Sequence, residues 1–431
     1  MRVRIDYGAT GIDAEIPDAN LIGVLNLPQS PPLPDPDAAI AHALSNPIGT
    51  QSLAILAQNR ESAVIVICDI TRPVPNKRIL PPMLQTLEAA GIPPDKITIL
   101  IATGTHRPNW GEELHALIGE ELAARYPVVN HDSQNPEMHY DLGVSPNGVP
   151  IRLDKTYCDA DLKLTVGLIE PHFMAGYSGG RKLVMPGVAA FSAIQRWHCP
   201  KFLEHPNATM GIVAGNPVHE ETLAIVKTLP PDLICDVTLN AQNEITGVFA
   251  GDLEQAWLAG VAYAAQHVRV PCPEPADIVV TSSAGAPLDA TFYQTVKGMV
   301  GALPIVKRGG SIIIASECKE GIGSADFTRA VLETTDLEDF VAYISQPDVF
   351  VPEEWQVEEL ARAARHAHIY CLSGGIPAET LAQCFVTPIA SIEEGIALAL
   401  ERHGANARIA VIPRGPYVIP HLTHFSSSQS A

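Results

Sequence analysis

The chain has 431 residues, 46% hydrophobic and 18% charged, which supplies enough apolar side chain for two or three globular domains and excludes a disordered protein. Lys+Arg 28 against Asp+Glu 48 leaves a net charge of −20, which argues against nucleic acid or an anionic membrane as the main partner; an anionic ligand must meet the few basic residues where they are concentrated. No apolar run reaches the ~18 residues of a membrane-spanning helix, the start MRVRIDYGATG lacks a leader-like stretch, and the eight cysteines form no C-x-x-C pair, so a cytoplasmic protein with reduced cysteines is expected.

In chain order, Arg2–Tyr7 and Ile12–Ile16 around Gly8 to Gly11 predict a hairpin, and the proline-rich 28–36 stretch an irregular segment. Ala63–Cys68 (AVIVIC), Ile97–Ala102 (ITILIA) and Leu162–Ile169 (LKLTVGLI) read as buried strands, with helices over Arg78–Ala90 and around Trp110–Arg125. Three prolines in Val270–Asp277 mark a domain boundary. Beyond it come strands at Ile278–Ser282, Ser311–Ala315, Ala367–Cys371 and Arg408–Ile412. Helices are expected at Tyr293–Ala302 and near Asp326–Thr335, Glu354–Ala364 and Ile392–His403. Only the tail SSSQS looks low-complexity. The expected architecture is α/β, two domains with mostly parallel sheets flanked by helices and the active site in the crevice between them. Residues 1–270 form the first domain and 277–431 the second, whose last residues return to the first.

Open parallel sheets bind ligands beyond the carboxyl ends of their strands, so the residues that follow each strand matter most. Three strands end in Asp69-Ile70-Thr71-Arg72-Pro73, in Thr103-Gly104-Thr105-His106-Arg107, and in Glu170-Pro171-His172 leading to Gly176-Tyr177-Ser178-Gly179-Gly180-Arg181-Lys182. Their imidazoles and charges, with Gly and Pro fixing the backbone, point to a site; His366, His368 and His403 sit in or beside regular elements and receive no role. Asp69 and Arg72 are open to a structural ion pair, and an arginine there also suits a carboxylate. Gly176 to Gly180 matches G-x-S-x-G, but six residues separate the strand from the first glycine, the wrong setting for a nucleophile elbow. No Walker-type phosphate loop is present. Gln294 and Lys297, three apart, share a helix face.

Together these motifs resemble the lactate racemase family of nickel-pincer-nucleotide enzymes: Asp69-x-x-Arg72-Pro73, Thr103-Gly104-Thr105-His106-Arg107, the EPHFMAGYSGGRK run of 170–182, His198, and Gln294-x-x-Lys297. The resemblance covers residues 60 to 300 best. It implies that Lys182 carries the nickel-pincer nucleotide (a nickel pyridinium-3,5-bisthiocarboxylic acid mononucleotide), with His198 as nickel ligand. Asp69, Arg72, Gln294 and Lys297 would lie around the cofactor. His106 and His172 would be the acid/base pair. Arg72, Lys297 and Gln294 would hold the substrate carboxylate, with Trp355 as a wall. The implied activity is racemisation or epimerisation of a 2-hydroxy acid, lactate-like by default, through hydride transfer and a 2-keto acid. Cofactor-synthesis proteins of the host would be partners, and nucleic acid and membrane would not. Two other readings stay open at this point. One is a metal-dependent hydrolase or lyase with His106, His172 and His198 on zinc; the other is a non-catalytic carrier of the nucleotide.

Overall fold

The computed structural model describes residues 1–346 and 349–423; the serine-rich tail lies outside them. In chain order, β1 (Arg2–Ile5) and β2 (Ile12–Glu15) make the expected antiparallel hairpin, and β3 (Leu21–Val24) follows. β4 (Ala63–Cys68), β5 (Ile97–Ala102) and β6 (Val128–Asn130) precede an outlying hairpin of β7 (His139–Val144) and β8 (Pro150–Asp154). β9 (Leu162–Leu168) leads into a very short hairpin, β10 (Pro171–His172) and β11 (Gly176–Tyr177). β12 (Leu233–Leu239), β13 (Ile245–Gly251) and β14 (Arg269–Cys272) come next. The remaining strands are β15 (Ala276–Ser282), β16 (Val306–Ala315), β17 (His368–Leu372), β18 (Thr387–Ile389), β19 (Ile409–Ile412) and β20 (Ile419–Leu422).

Two six-stranded sheets result. The first has the order β13-β12-β9-β4-β5-β6 and is parallel except for its edge strand β13. The second, β18-β17-β16-β15-β19-β3, is parallel throughout. A parallel strand covered on both faces needs apolar residues on both sides, which is why AVIVIC is a continuous apolar run instead of an alternating one. Val64 and Val66 of β4 enter one core while Ile65 and Ile67 enter another. The core around Val64 and Val66 is contiguous with Val279, Ile312 and Ile314 of the second sheet, so the two halves are packed together.

Two expectations are corrected. The N-terminal residues, expected with the first domain, build onto the second sheet. β3 pairs in parallel with β19, and Val3, Ile5, Ala14 and Ile16 of the hairpin pack against Ile278, Val280 and Ile313. Four residues with a glycine among them give little local signal, and the partner strand lies almost at the other end of the chain. The single helix expected around Trp110–Arg125 is two, Glu112–Ile118 and Glu120–Arg125, broken at Gly119, whose φ of 87° is outside the helical range.

Candidate active site

In the first sheet the chain runs outward from β4 through β5 to β6, then returns to set β9 on the other side of β4. The loops after β4 and β9 therefore diverge and leave a crevice beyond their carboxyl ends. Asp69, Arg72, His106, His172, Lys182 and His198 line one cavity of about 340 Å³ there. Gln294, Lys297 and Trp355 reach the same cavity from the second half. The scarce cations are thus concentrated, with Arg72, Lys182 and Lys297 all in this one space.

The loop after β4 turns back on itself at Asp69, whose Oδ1 accepts from the backbone N–H (3.2 Å) and hydroxyl (2.5 Å) of Thr71. Its Oδ2 lies 2.6 Å from His106 Nδ1. Burial works against the Asp69 charge, but the bonds from His106 and Thr71 outweigh it and hold the pKa below the usual carboxylate range. The carboxylate expected beside a nucleotide is therefore engaged with the imidazole of His106, leaving His106 Nε2 as the nitrogen free to react. Arg72 does not pair closely with Asp69; its Nε lies 3.0 Å from Glu170 Oε1 at the end of β9.

After β9, the β10–β11 hairpin reverses the chain at Gly176, where φ is +76° and a Cβ would sit 2.2 Å from the carbonyl oxygen of Ile212. Only glycine fits. Ser178 spends its hydroxyl on the backbone, donating to Leu168 O at 2.6 Å and accepting from Glu170 N at 3.0 Å, so it is a structural bracket and not a nucleophile. Gly180 N–H donates to the buried Asp236 carboxylate of β12 at 2.7 Å, and the turn Gly180–Leu183 that follows presents Lys182. Burial raises the Asp236 pKa to about 7.

Lys182 Nζ lies 3.0 Å from His172 Nε2. Burial, with Arg181, Arg72 and Lys297 nearby, pushes the Lys182 pKa well below the usual lysine range, which favours the nucleophilic free amine. Burial, with Lys182, Lys297 and Arg72 nearby, pushes the His172 pKa well below the usual imidazole range and keeps the ring neutral. Its Nδ1 accepts from the backbone N–H groups of Met174 (3.4 Å) and Ala175 (3.2 Å), which places the ring proton on Nε2, toward the lysine. His198 ends the helix Phe191–Trp197, and burial, with Lys182 beside it, holds its ring neutral as well. A neutral imidazole can bind a metal. Among the described residues no three His, Cys, Asp or Glu side chains are grouped to hold a metal ion, so the three-histidine zinc site is not formed.

From the second half, Thr291 caps the helix Phe292–Ala302, which aims Gln294 and Lys297 into the cavity from one face, as their spacing predicts. Burial, reinforced by Arg72, lowers the Lys297 pKa to about 7. Gln294 Oε1 is buried without a protein partner. Trp355, on the helix Glu354–His366, packs on His198 with ring centroids 4.8 Å apart. Sequence reasoning gave no role to Tyr293, which also lines the cavity, or to Glu170, Asp236 and Glu353. Tyr293 adjoins Gln294, and its place in the first turn of a capped helix facing the crevice is the signal that could have found it.

Residues 7–211 match the family model described as lactate racemase N-terminal domain, and residues 272–419 that described as lactate racemase C-terminal domain. The lactate racemase of Thermoanaerobacterium thermosaccharolyticum is 35% identical over 97% of this chain and 98% of its own. That of Lactiplantibacillus plantarum is 32% identical over 97% of this chain and 99% of its own. The solved lactate racemase apoprotein from T. thermosaccharolyticum superposes with a TM-score of 0.92 at 34% identity, covering 98% of this chain and all 100% of that one. A Thermotoga maritima protein at 18% identity shares the fold, with a TM-score of 0.69 over 90% of this chain and 98% of that one.

Proposed function

The chain belongs to the lactate racemase family, and on that premise we propose that it interconverts the enantiomers of a 2-hydroxy acid, lactate by default, using a nickel-pincer nucleotide tethered at Lys182. The observation that carries this reading is the one cavity in which two imidazoles, two cations able to grip a carboxylate and a buried lysine converge. The residues present fit the cofactor. A buried amine whose pKa burial lowers suits covalent attachment, and the neutral ring of His198 suits nickel. When bound, the nucleotide supplies an electrophilic acceptor for the hydride of the α-carbon.

The protein's own groups do the rest. Taking the α-proton would leave a dianion that two side-chain cations could hardly offset, whereas loss of hydride with the hydroxyl proton leaves a neutral ketone. Arg72, held by Glu170, and Lys297 bind the carboxylate. Because the Lys297 pKa lies at about 7, an arriving anion also recruits its proton. His106 Nε2 takes or returns the hydroxyl proton, a contribution of roughly 10²–10⁴-fold. Asp69 fixes the ring through Nδ1 and offsets the imidazolium charge. His172 serves the opposite face of the substrate, so either enantiomer can enter. Gln294 orients the carboxylate, and Trp355 closes the wall.

Among the described residues no helix is long and apolar enough to cross a membrane, and all eight cysteines are free. We place the enzyme in the cytoplasm, loaded there by the host's cofactor-synthesis proteins. The test is peptide-mapped mass spectrometry with metal analysis, on protein from a host shown to load a control racemase, followed by a chiral screen of 2-hydroxy acids. A nucleotide-sized adduct on Lys182, nickel and interconversion are expected. An unmodified Lys182, or an adduct with no interconversion of any acid in the screen, would refute the proposal.

A further inference from the structure

Burying a carboxylate inside a sheet is costly unless a donor meets it. Asp236 sits in the middle of β12 at 0% exposure, in register with Gly167 of β9. Glycines make the space for it: a Cβ at Gly167 would lie 2.5 Å from Asp236 Oδ1, and one at Gly179 2.8 Å from Oδ2. Oδ1 has no hydrogen-bond partner, and Oδ2 accepts from Gly180 N–H at 2.7 Å. Burial disfavours the charge, so an acceptor oxygen is what Gly180 draws from this side chain.

The same turn is gripped from a second side. Arg181, 1% exposed, donates through Nη2 to the carbonyls of Ala175 (3.0 Å) and Tyr177 (3.1 Å). Its guanidinium carbon stands 4.0 Å from the ring centroid of Trp257, on the helix Gln255–Val268, and Trp257 Nε1 donates to Ser178 O at 2.8 Å. Gly180–Leu183 is a 3₁₀ turn, in which successive side chains stand about 120° apart. With Arg181 turned against Trp257, Lys182 is turned away from it, into the cavity where Nζ lies 3.0 Å from His172 Nε2. Asp236 ties the start of the turn, and Arg181 fixes its rotation.

We propose that Asp236 and Arg181 clamp the Gly180–Leu183 turn from two sides and so aim the Lys182 amine, with Asp236 the positioning residue at the start of the turn. The clamp rests on the reading of Lys182 as the site of nucleotide attachment. Neither residue lines the cavity, so each acts through the backbone of the turn. A lysine side chain is a flexible stem, and fixing the backbone beneath it narrows where the amine can stand. The gain is large where a bond must form, because a misplacement of about 1 Å can cost on the order of 10²-fold in rate.

The experiment measures the share of Lys182 that carries the nucleotide, by peptide-mapped mass spectrometry. Full chains are made in a host shown to load a control racemase and harvested before wild type is fully loaded, and circular dichroism reports whether each variant is folded. Asp236→Leu has the shape of aspartate but no acceptor, and is expected to carry roughly tenfold less adduct than wild type. Asp236→Asn keeps an oxygen for Gly180 N–H and is expected to load nearly as wild type does. Arg181→Met still packs on Trp257 but loses the bonds to Ala175 and Tyr177, and is expected to load less than wild type. Wild-type loading of folded Asp236→Leu, as a residue that only filled the sheet would give, overturns the clamp. So does Asp236→Asn loading as poorly as Asp236→Leu. Should Asp236→Leu fail to fold, Arg181→Met decides: wild-type loading overturns the proposal. A wild-type chain with no adduct on Lys182 overturns the attachment reading and the clamp with it.

Discussion

Each sheet has a place where its strand order reverses, between β4 and β9 in the first and between β15 and β19 in the second, and the two places have opposite fates. At the first, the loops leave His106, His172 and Lys182 facing a shared cavity. At the second, the turn between β1 and β2 crosses the carboxyl edge and ties the loops together. Asp6 N–H donates to Pro413 O at 3.1 Å, Ala286 N–H to Gly8 O at 2.8 Å, and Gly8 N–H to the buried Asp289 carboxylate at 2.6 Å. The arginines beside it are already matched, Arg414 with Asp6 at 3.0 Å and Arg4 with Asp13 at 3.1 Å. One topology thus makes a candidate reaction site where loop groups face a shared cavity, and a joint where the chain pairs most of them, although a cavity of about 270 Å³ remains beside Arg4, Asp6 and Arg414.

Mutations at the two places should separate accordingly. The largest effect is expected at the open one: His106→Ala or His172→Ala should slow interconversion by about 10²–10⁴-fold, measured by chiral chromatography, with the nucleotide still on Lys182 by mass spectrometry. At the closed one, Asp289→Ala strands the N–H groups of Gly8 and Glu317. It should cost about 1–3 kcal/mol in denaturant unfolding, with little change in kcat. A pH profile sharpens the contrast. Lys297 is charged below its pKa of about 7 and neutral above it, so kcat/KM should fall as pH rises through that value, on the order of tenfold per unit. Lys297→Arg, whose guanidinium stays charged, should flatten that limb. The smallest effect belongs to Arg4→Ala, whose side chain is 55% exposed: less than about 1 kcal/mol of stability and unchanged turnover. If His106→Ala turned over normally, or Asp289→Ala abolished catalysis in a stable protein, the contrast between the two places would collapse.

What the sequence revealed depended on whether the signal was local. AVIVIC and ITILIA are unmistakable because both of their faces are buried, and the residues after them follow directly. LICDVTL at β12 escaped notice because Asp236 interrupts the apolar run, and that aspartate is there to hold Gly180. Pairings such as β3 with β19, and β14 with β20, join segments far apart and leave no periodicity to read. In the site, residue types and their strand-end positions were legible. Their hydrogen bonds were not: Asp69 turning to His106, Arg72 turning to Glu170, and Tyr293 accepting from Trp355 all depend on how separate loops meet.

The pairing of β3 with β19 also sets an order of birth. The side chain of Asn20 bonds the carbonyls of Ala405 and Ala407, so it is clasped by residues made 385 and 387 positions later. At roughly 5–20 residues per second, the hairpin and β3 wait on the order of half a minute on a ribosome before their partners emerge. The first sheet, whose strands lie between Ala63 and Gly251, is complete long before. The loop that carries Lys182 is therefore synthesised before the segments that bring Lys297 and Trp355 to the same cavity.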